Sequence, residues 1–226
     1  FLDRALEDFF EERETVVVER IIDGDTIVVD TASLRSRHEN LSRGESVRLL
    51  GINSPERGED FYEEAKEFLE NLILGKEVGL EFGISKYDKY DRLLAYVFID
   101  GKNMNIEMVE EGFANYYFYS GREKYFEELI NAWENCIDEN TNLCEKSVDR
   151  CNGCIFIDLE SIVNNCEFDC DVGGWEIKGE GRKNFVFEEE ILNPGEKANF
   201  EIDLTNSGGS LFLRDGEGRL VLWERY

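Results

Sequence analysis

Residues 20–30, RIIDGDTIVVD, and 47–56, VRLLGINSPE, carry the reading of the fold. Thr15–Ile22 and Thr26–Val29 are β-rich, and Asp23-Gly24 between them is a strong turn signal, so this first run folds as a hairpin whose turn presents Asp25. The second run is a third strand, Ser46–Ile52, broken at Asn53-Ser54-Pro55. Asp25, Arg48, Asn53, Ser54 and Glu56 thereby arrive at strand ends. Carboxylates, an amide and a guanidinium so placed suit a cation and a phosphate better than a hydrophobic core. Arg48 is out of pattern on its β-rich run, and a guanidinium can hold two phosphate oxygens at once, which a lysine cannot.

Outward from that stretch the periodicity is helical and then β again. Phe61, Ala65, Phe68, Leu69 and Leu72 mark one helix face, with Gly75 placed as its C′ residue. Glu77–Phe82 and Leu93–Ile99 read as two more strands, and Asn105–Glu111 as a short helix stopped by Gly112. Five strands with a helix between the third and fourth is the order of an OB-fold barrel. Phe126, Leu129, Ile130 and Trp133 pattern a third helix, while Leu2, Leu6 and Phe9 pattern an N-terminal helical extension over residues 1–14. Residues 31–45 gather Arg35, Arg37, His38 and Arg43 in a polar stretch read as an exposed loop. His38 is the sole histidine, which excludes any mechanism that needs two.

The motifs DGDT, RLLGINSPE and KYDRLLAY, in this order, resemble those of the staphylococcal nuclease (thermonuclease) family over roughly residues 15–135. The resemblance implies an endonuclease that hydrolyses phosphodiester bonds of DNA and RNA with calcium and leaves 3′-phosphates. It assigns Asp25, Asn53 and the Ser54 carbonyl to the metal, Arg48 and Arg92 to the phosphate, and Glu56 to the water as general base. Lys89, Tyr90, Tyr117 and Tyr119 match residues that contact the nucleotide. Two positions depart from the family pattern. Asn53 replaces an aspartate, so one ligand keeps its oxygen but loses its charge, and metal binding weaker than at a two-carboxylate site is expected. Asp91 stands where glycine is usual.

Near Asn135 the composition changes. All six cysteines (136, 144, 151, 154, 166 and 170) lie beyond the barrel. Cys151, Cys154, Cys166 and Cys170 could hold a structural zinc, CxxC being a common half-site, or all six could form disulfides. Disulfides are favoured, with near neighbours paired, 151 with 154, 166 with 170 and 136 with 144. VGGWEIKGE, NFVFEEEILNPGEKANFEI and GGSLFLRDGEGRLVLWE resemble the lamin-tail domain, which implies an immunoglobulin-like β-sandwich. The expected organisation is therefore a barrel over 15–140 and a sandwich over 141–226.

The formal net charge of −26 opposes non-specific binding of polyanions, so a nucleic-acid site needs locally concentrated cations or a bound metal. No apolar run approaches the ~20 residues of a membrane helix. The chain begins at Phe1, as expected if a leader is absent from it, and export to the medium or cell surface is expected of a monomer, with a cytoplasmic location as the alternative. Two other functions remain open: a degenerate barrel that binds nucleic acid without cutting it, and a surface or adhesion protein whose tail, of unknown ligand, is the functional part.

Overall fold

The computed structural model describes residues 13–30, 44–118, 123–158, 160–181, 184–202, 204 and 209–226. The expected N-terminal helix, the loop bearing Arg35, Arg37, His38 and Arg43, and Tyr119 lie outside them. The chain divides into two compact units, Phe1–Ala114 and Asn115–Tyr226.

The first unit is the expected closed five-stranded barrel. Its strands are β1 (Glu14–Asp23), β2 (Thr26–Asp30), β3 (Glu45–Leu49), β4 (Glu77–Tyr87) and β5 (Leu93–Ile99). Antiparallel pairing runs β3-β2-β1-β4-β5, and a parallel pair of β3 with β5 closes the ring. Alternation on β1 sends Val16 and Val18 inward, and a register shift between Val18 and Arg20 then brings Ile21 into the same core. Helix α1 (Tyr62–Ile73) buries Ala65, Leu69 and Ile73, spaced four apart on one stripe, and Gly75 follows with φ +71° as the sequence requires. Helix α2 (Met104–Glu110) is capped by the Asn103 side chain, which accepts from the N–H groups of Asn105 and Ile106. Asn105 is fully buried and satisfied: its Oδ1 accepts from Val97 N at 2.9 Å and its Nδ2 donates to Leu50 O at 2.7 Å. That amide ties the turn after β3 to β5.

In the second unit, helix α3 (Phe126–Glu139) sets Trp133 edge-on against Phe212, 5.1 Å between centroids, and against Tyr116 at 6.2 Å. Further sheets follow. Strands β6 (Ile155–Asp158), β7 (Ser161–Asn164) and β12 (Lys197–Asn199) form one, and β9 (Glu176–Gly179), β10 (Asn184–Val186), β13 (Ser210–Arg214) and β14 (Leu220–Arg225) another. A small pair joins β8 (Cys170–Asp171) to β11 (Ile191–Leu192). Ile155 and Ile162 of the first sheet share one core with Ile177, Leu211 and Leu213 of the second and with Trp175.

All six cysteines are in disulfides, Cys136–Cys144, Cys151–Cys170 and Cys154–Cys166. The first is the expected pair; the other two correct the near-neighbour expectation. Cys151 and Cys154 bracket a turn, with Cys154 N donating to Cys151 O, and the β6–β7 hairpin folds the chain back so that this turn faces residues 166–170. The zinc alternative is not supported either. The sulfurs of Cys151, Cys166 and Cys170 do lie within 4.8 Å of one another, but each is bonded to another sulfur and offers no thiolate. Three disulfides point to an oxidising, extracellular setting. Among the described residues no helix is long and apolar enough to cross a membrane.

Candidate active site

The turn between β1 and β2 holds Asp25, 2% exposed, under helix α1. A Cβ on Gly24 would come within 2.8 Å of the Ser54 Cβ and 2.9 Å of the Ala65 Cβ, so only glycine lets the turn press this close. The closeness has a use: Ser54 N donates to Asp25 Oδ2 at 2.8 Å, which anchors the Asn53–Glu56 segment to the turn. On the other oxygen, Thr26 Oγ1 donates to Oδ1 at 3.0 Å.

Arg48 extends from β3, paired with Thr26 across β2, and its guanidinium is buried with the carboxylate. Nη2 lies 3.0 Å from Asp25 Oδ2 and donates to Ile52 O at 2.8 Å and to Asn53 Oδ1 at 3.3 Å, while Nη1 donates to Leu49 O at 2.7 Å. Two backbone carbonyls therefore fix the plane of the fork and aim it at Asp25 and Asn53. This accounts for a charged residue on an otherwise apolar strand: its partners arrive from two turns that the barrel brings together.

Arg92 reaches the same cluster from the loop before β5, with Nη1 donating to Thr26 Oγ1 at 3.4 Å. The sequence reading missed the residue that holds it, Asp88. Its Oδ2 accepts from Arg92 Nε at 2.8 Å and lies 2.7 Å from Nη2, and its Oδ1 accepts from the N–H groups of Tyr90 and Arg92. Burial alone would raise the Asp88 carboxyl, but these N–H bonds and the guanidinium hold it below its ordinary value. The signal was an aspartate placed four before an arginine in a turn-rich heptad, an Asx-turn pattern. Asp91, in place of glycine, adopts φ +60°, a left-handed conformation that aspartate tolerates better than most side chains. Lys89 and Arg92 both sit over the exposed Tyr90 ring, at 5.0 and 5.5 Å from its centroid.

Glu56 stands two residues beyond Ser54, partly exposed. Its N–H donates to Glu59 Oε2 at 2.7 Å while Glu59 N donates to the Glu56 carbonyl, a reciprocal pair that fixes the turn ahead of α1. Tyr117 belongs to the second unit, where a Cβ on Gly181 would lie 3.8 Å from its ring. A second carboxylate missed as a site residue is Asp23, whose Oδ1 accepts from Asp25 N at 3.1 Å. Burial first, and the charge of Asp25 second, push it up from 3.8 to about 6. The DGD spacing itself signalled two carboxylates on one turn.

The arrangement offers hard oxygen donors on Asp25, Asn53 and the Ser54 backbone and two guanidinium groups, with Glu56 two residues along the chain from Ser54. Residues 46–146 match the family described as Staphylococcal nuclease homologue. Thermonuclease of Staphylococcus intermedius is 30% identical over 139 residues, covering 59% of this chain and 77% of that protein. The chain belongs to the staphylococcal nuclease family. Other relatives include the SPbeta prophage-derived endonuclease YokF of Bacillus subtilis, 31% identical over 62% of this chain and 48% of that protein. An uncharacterized endonuclease of Haemophilus influenzae is 34% identical over 54% of this chain and 63% of that protein. Membership in the staphylococcal nuclease family supports a nuclease function. The family match, over residues 46–146, includes the clamp candidates Arg48 and Arg92, whereas the Asp25 turn precedes it.

Proposed function

We propose that the chain is a calcium-dependent nuclease that hydrolyses phosphodiester bonds of DNA and RNA, with Arg48, Glu56 and Arg92 as catalytic residues. The observation that carries the reading is the convergence of Arg48, Asp25, Thr26 and Arg92 in one bonded network drawn from three chain segments. A hard cation fits these residues: each carboxylate oxygen has more than one lone pair, and Asp25 Oδ1 accepts only the Thr26 hydroxyl among the bonds described above. Asp25, Asn53 and the Ser54 carbonyl would hold it, and bound there it would supply Lewis-acid polarisation of the phosphate. Arg48 and Arg92 bind the phosphate oxygens and stabilise their growing charge, Arg48 as a fork preset by two carbonyls and Arg92 as one preset by Asp88. Glu56 takes a proton from the attacking water and directs its oxygen in line at phosphorus, the P–O bond to the opposite ester oxygen breaks, and the departing alkoxide, stabilised by Arg92, takes a proton from solvent. Lys89 and Tyr90 contact the nucleotide, the Tyr90 ring offering a stacking face.

For the second unit we retain the lamin-tail-like, immunoglobulin-like reading, supported by its two sheets around one core and by its turn motifs. Secretion and a monomeric state complete the reading, the first supported by the disulfides.

A plasmid-nicking assay with calcium tests it. The parent is expected to nick, chelator to abolish nicking, and Glu56→Gln to cost on the order of 10²–10⁴ in rate with unchanged melting. Equal inertness of parent and variant leaves only nucleic-acid binding.

A further inference from the structure

Strand β4 is longer than its hydrophobic alternation predicts, and the excess is a bulge. Phe82 pairs with Ala95 and Tyr87 with Leu93, so Gly83, Ile84, Ser85 and Lys86 all oppose the single Leu94. On its other side Leu94 pairs with Arg48, and Arg48 with Thr26. The bulge therefore lies in the same crosswise row of the barrel as Arg48 and Thr26, two strand spacings from Arg48, or ~10 Å. Its base is seated on the turn that follows β3, where a Cβ at Gly83 would lie 2.7 Å from Leu50 Cδ1.

What the bulge carries is unusual for so exposed a place. Ile84 stands wholly in solvent, at 109% relative exposure. A single exposed aliphatic is ordinary on any protein, but this one shares its arm with exposed Tyr87, and exposed Tyr90 follows on the next loop. Cations interleave with these apolar groups: Lys86, its ammonium 4.8 Å over the Phe82 ring, then Lys89 and Arg92. Asp88 pairs with Arg92 and Asp91 also falls in this stretch, yet cations still outnumber carboxylates here in a chain of net charge −26, a composition suited to a nucleic-acid strand. Bulges beside active sites commonly re-aim a side chain, and apolar side chains serve other nucleic-acid binders as wedges against bases.

We propose that Ile84, presented by the Gly83–Lys86 bulge, contacts an unstacked nucleobase of the bound strand, with Lys86 on the adjoining phosphate. This rests on the nucleic-acid reading of the site and adds to it a base-contacting subsite outside the clamp.

The test measures binding, so it does not depend on cleavage. In a Glu56→Gln background with calcium, fluorescence anisotropy compares a fluorescein-labelled oligothymidylate with an abasic oligonucleotide of the same length. Ile84→Ser is expected to weaken oligothymidylate binding about fivefold or more while leaving the abasic strand unaffected, and Ile84→Phe to restore it. Thermal unfolding of both variants should match the parent, because Ile84 touches no core. Equal affinities for parent and Ile84→Ser, or equal losses on both strands, would overturn the proposal, as would a parent that binds neither. A parent that nicks plasmid while failing this test would leave the nuclease reading standing.

Discussion

In the barrel unit long ladders share a core that contains no cysteine, and a buried guanidinium–carboxylate pair sits among them. In the second unit the ladders are short, such as Asn184–Val186 and Lys197–Asn199, and three disulfides brace them. Closure of the barrel removes strand edges and packs apolar residues on every strand, which leaves a margin within which buried charge can be tolerated. Small sheets bury less area and gain from a covalent limit on the unfolded chain. Both units enclose a core, so the difference lies in the bracing: long ladders closed into a ring in the first, short ladders with three disulfides in the second.

Four measurements would break or sharpen that contrast. The largest effect is expected from Arg48→Met, which strands the Asp25 carboxylate in the barrel. Denaturant unfolding should show a loss of about 3–5 kcal/mol, and nicking should disappear. A loss below ~1 kcal/mol would mean the pair is far better solvated than its burial indicates.

Next in size is removal of a single bridge. Replacing Cys151 and Cys170 by serine should cost the second unit about 2–4 kcal/mol, and hydrogen exchange should quicken in β6–β14 before it does in β1–β5. Uniform loosening of both units would erase the distinction drawn above.

A smaller, pH-dependent effect belongs to Asp23. Its carboxyl is raised in the folded protein, so its contribution is complete below the unfolded value near 3.8 and is lost as pH rises through about 6. Asp23→Asn keeps an acceptor for Asp25 N and removes that loss. Thermal melting without calcium should show a gain of about 1 kcal/mol at pH 7, discounted for partial exposure, and none at pH 3. A gain of equal size at both pH values would point to packing rather than charge.

The smallest is Asp91→Gly. Glycine adopts φ +60° without penalty, but the unfolded chain gains freedom, so the two effects nearly cancel and stability should move by only a few tenths of a kcal/mol. A loss above ~1 kcal/mol would show that the Asp91 side chain does more than occupy the turn.

How much of this was legible beforehand varied with the range of the interaction. The five strands, the α1 stripe and its Gly75 stop were readable because periodicity and turn chemistry act over a few residues. Asp25, Arg48 and Arg92 were readable as polar residues out of pattern beside apolar runs. Asp88 and Asp23 were passed over because charged residues in loops look alike in one dimension. The four-residue bulge on β4 was invisible because only the pairing with β5 shows which residues lack partners. The cysteine pairing failed for a related reason: spacing favours neighbours, while the β6–β7 hairpin brings distant cysteines face to face.

Composition, alternation and motif order alone settled that this chain builds a barrel of the staphylococcal nuclease family with a cysteine-bearing β region behind it. Those signals are local, and each residue type expresses them wherever it stands. Which oxygen of Asp25 meets Ser54, which carboxylate holds Arg92, which sulfurs join and where Ile84 is presented came only with the folded chain. Each depends on the register of strands far apart in sequence, and a shift of one residue would have reversed it.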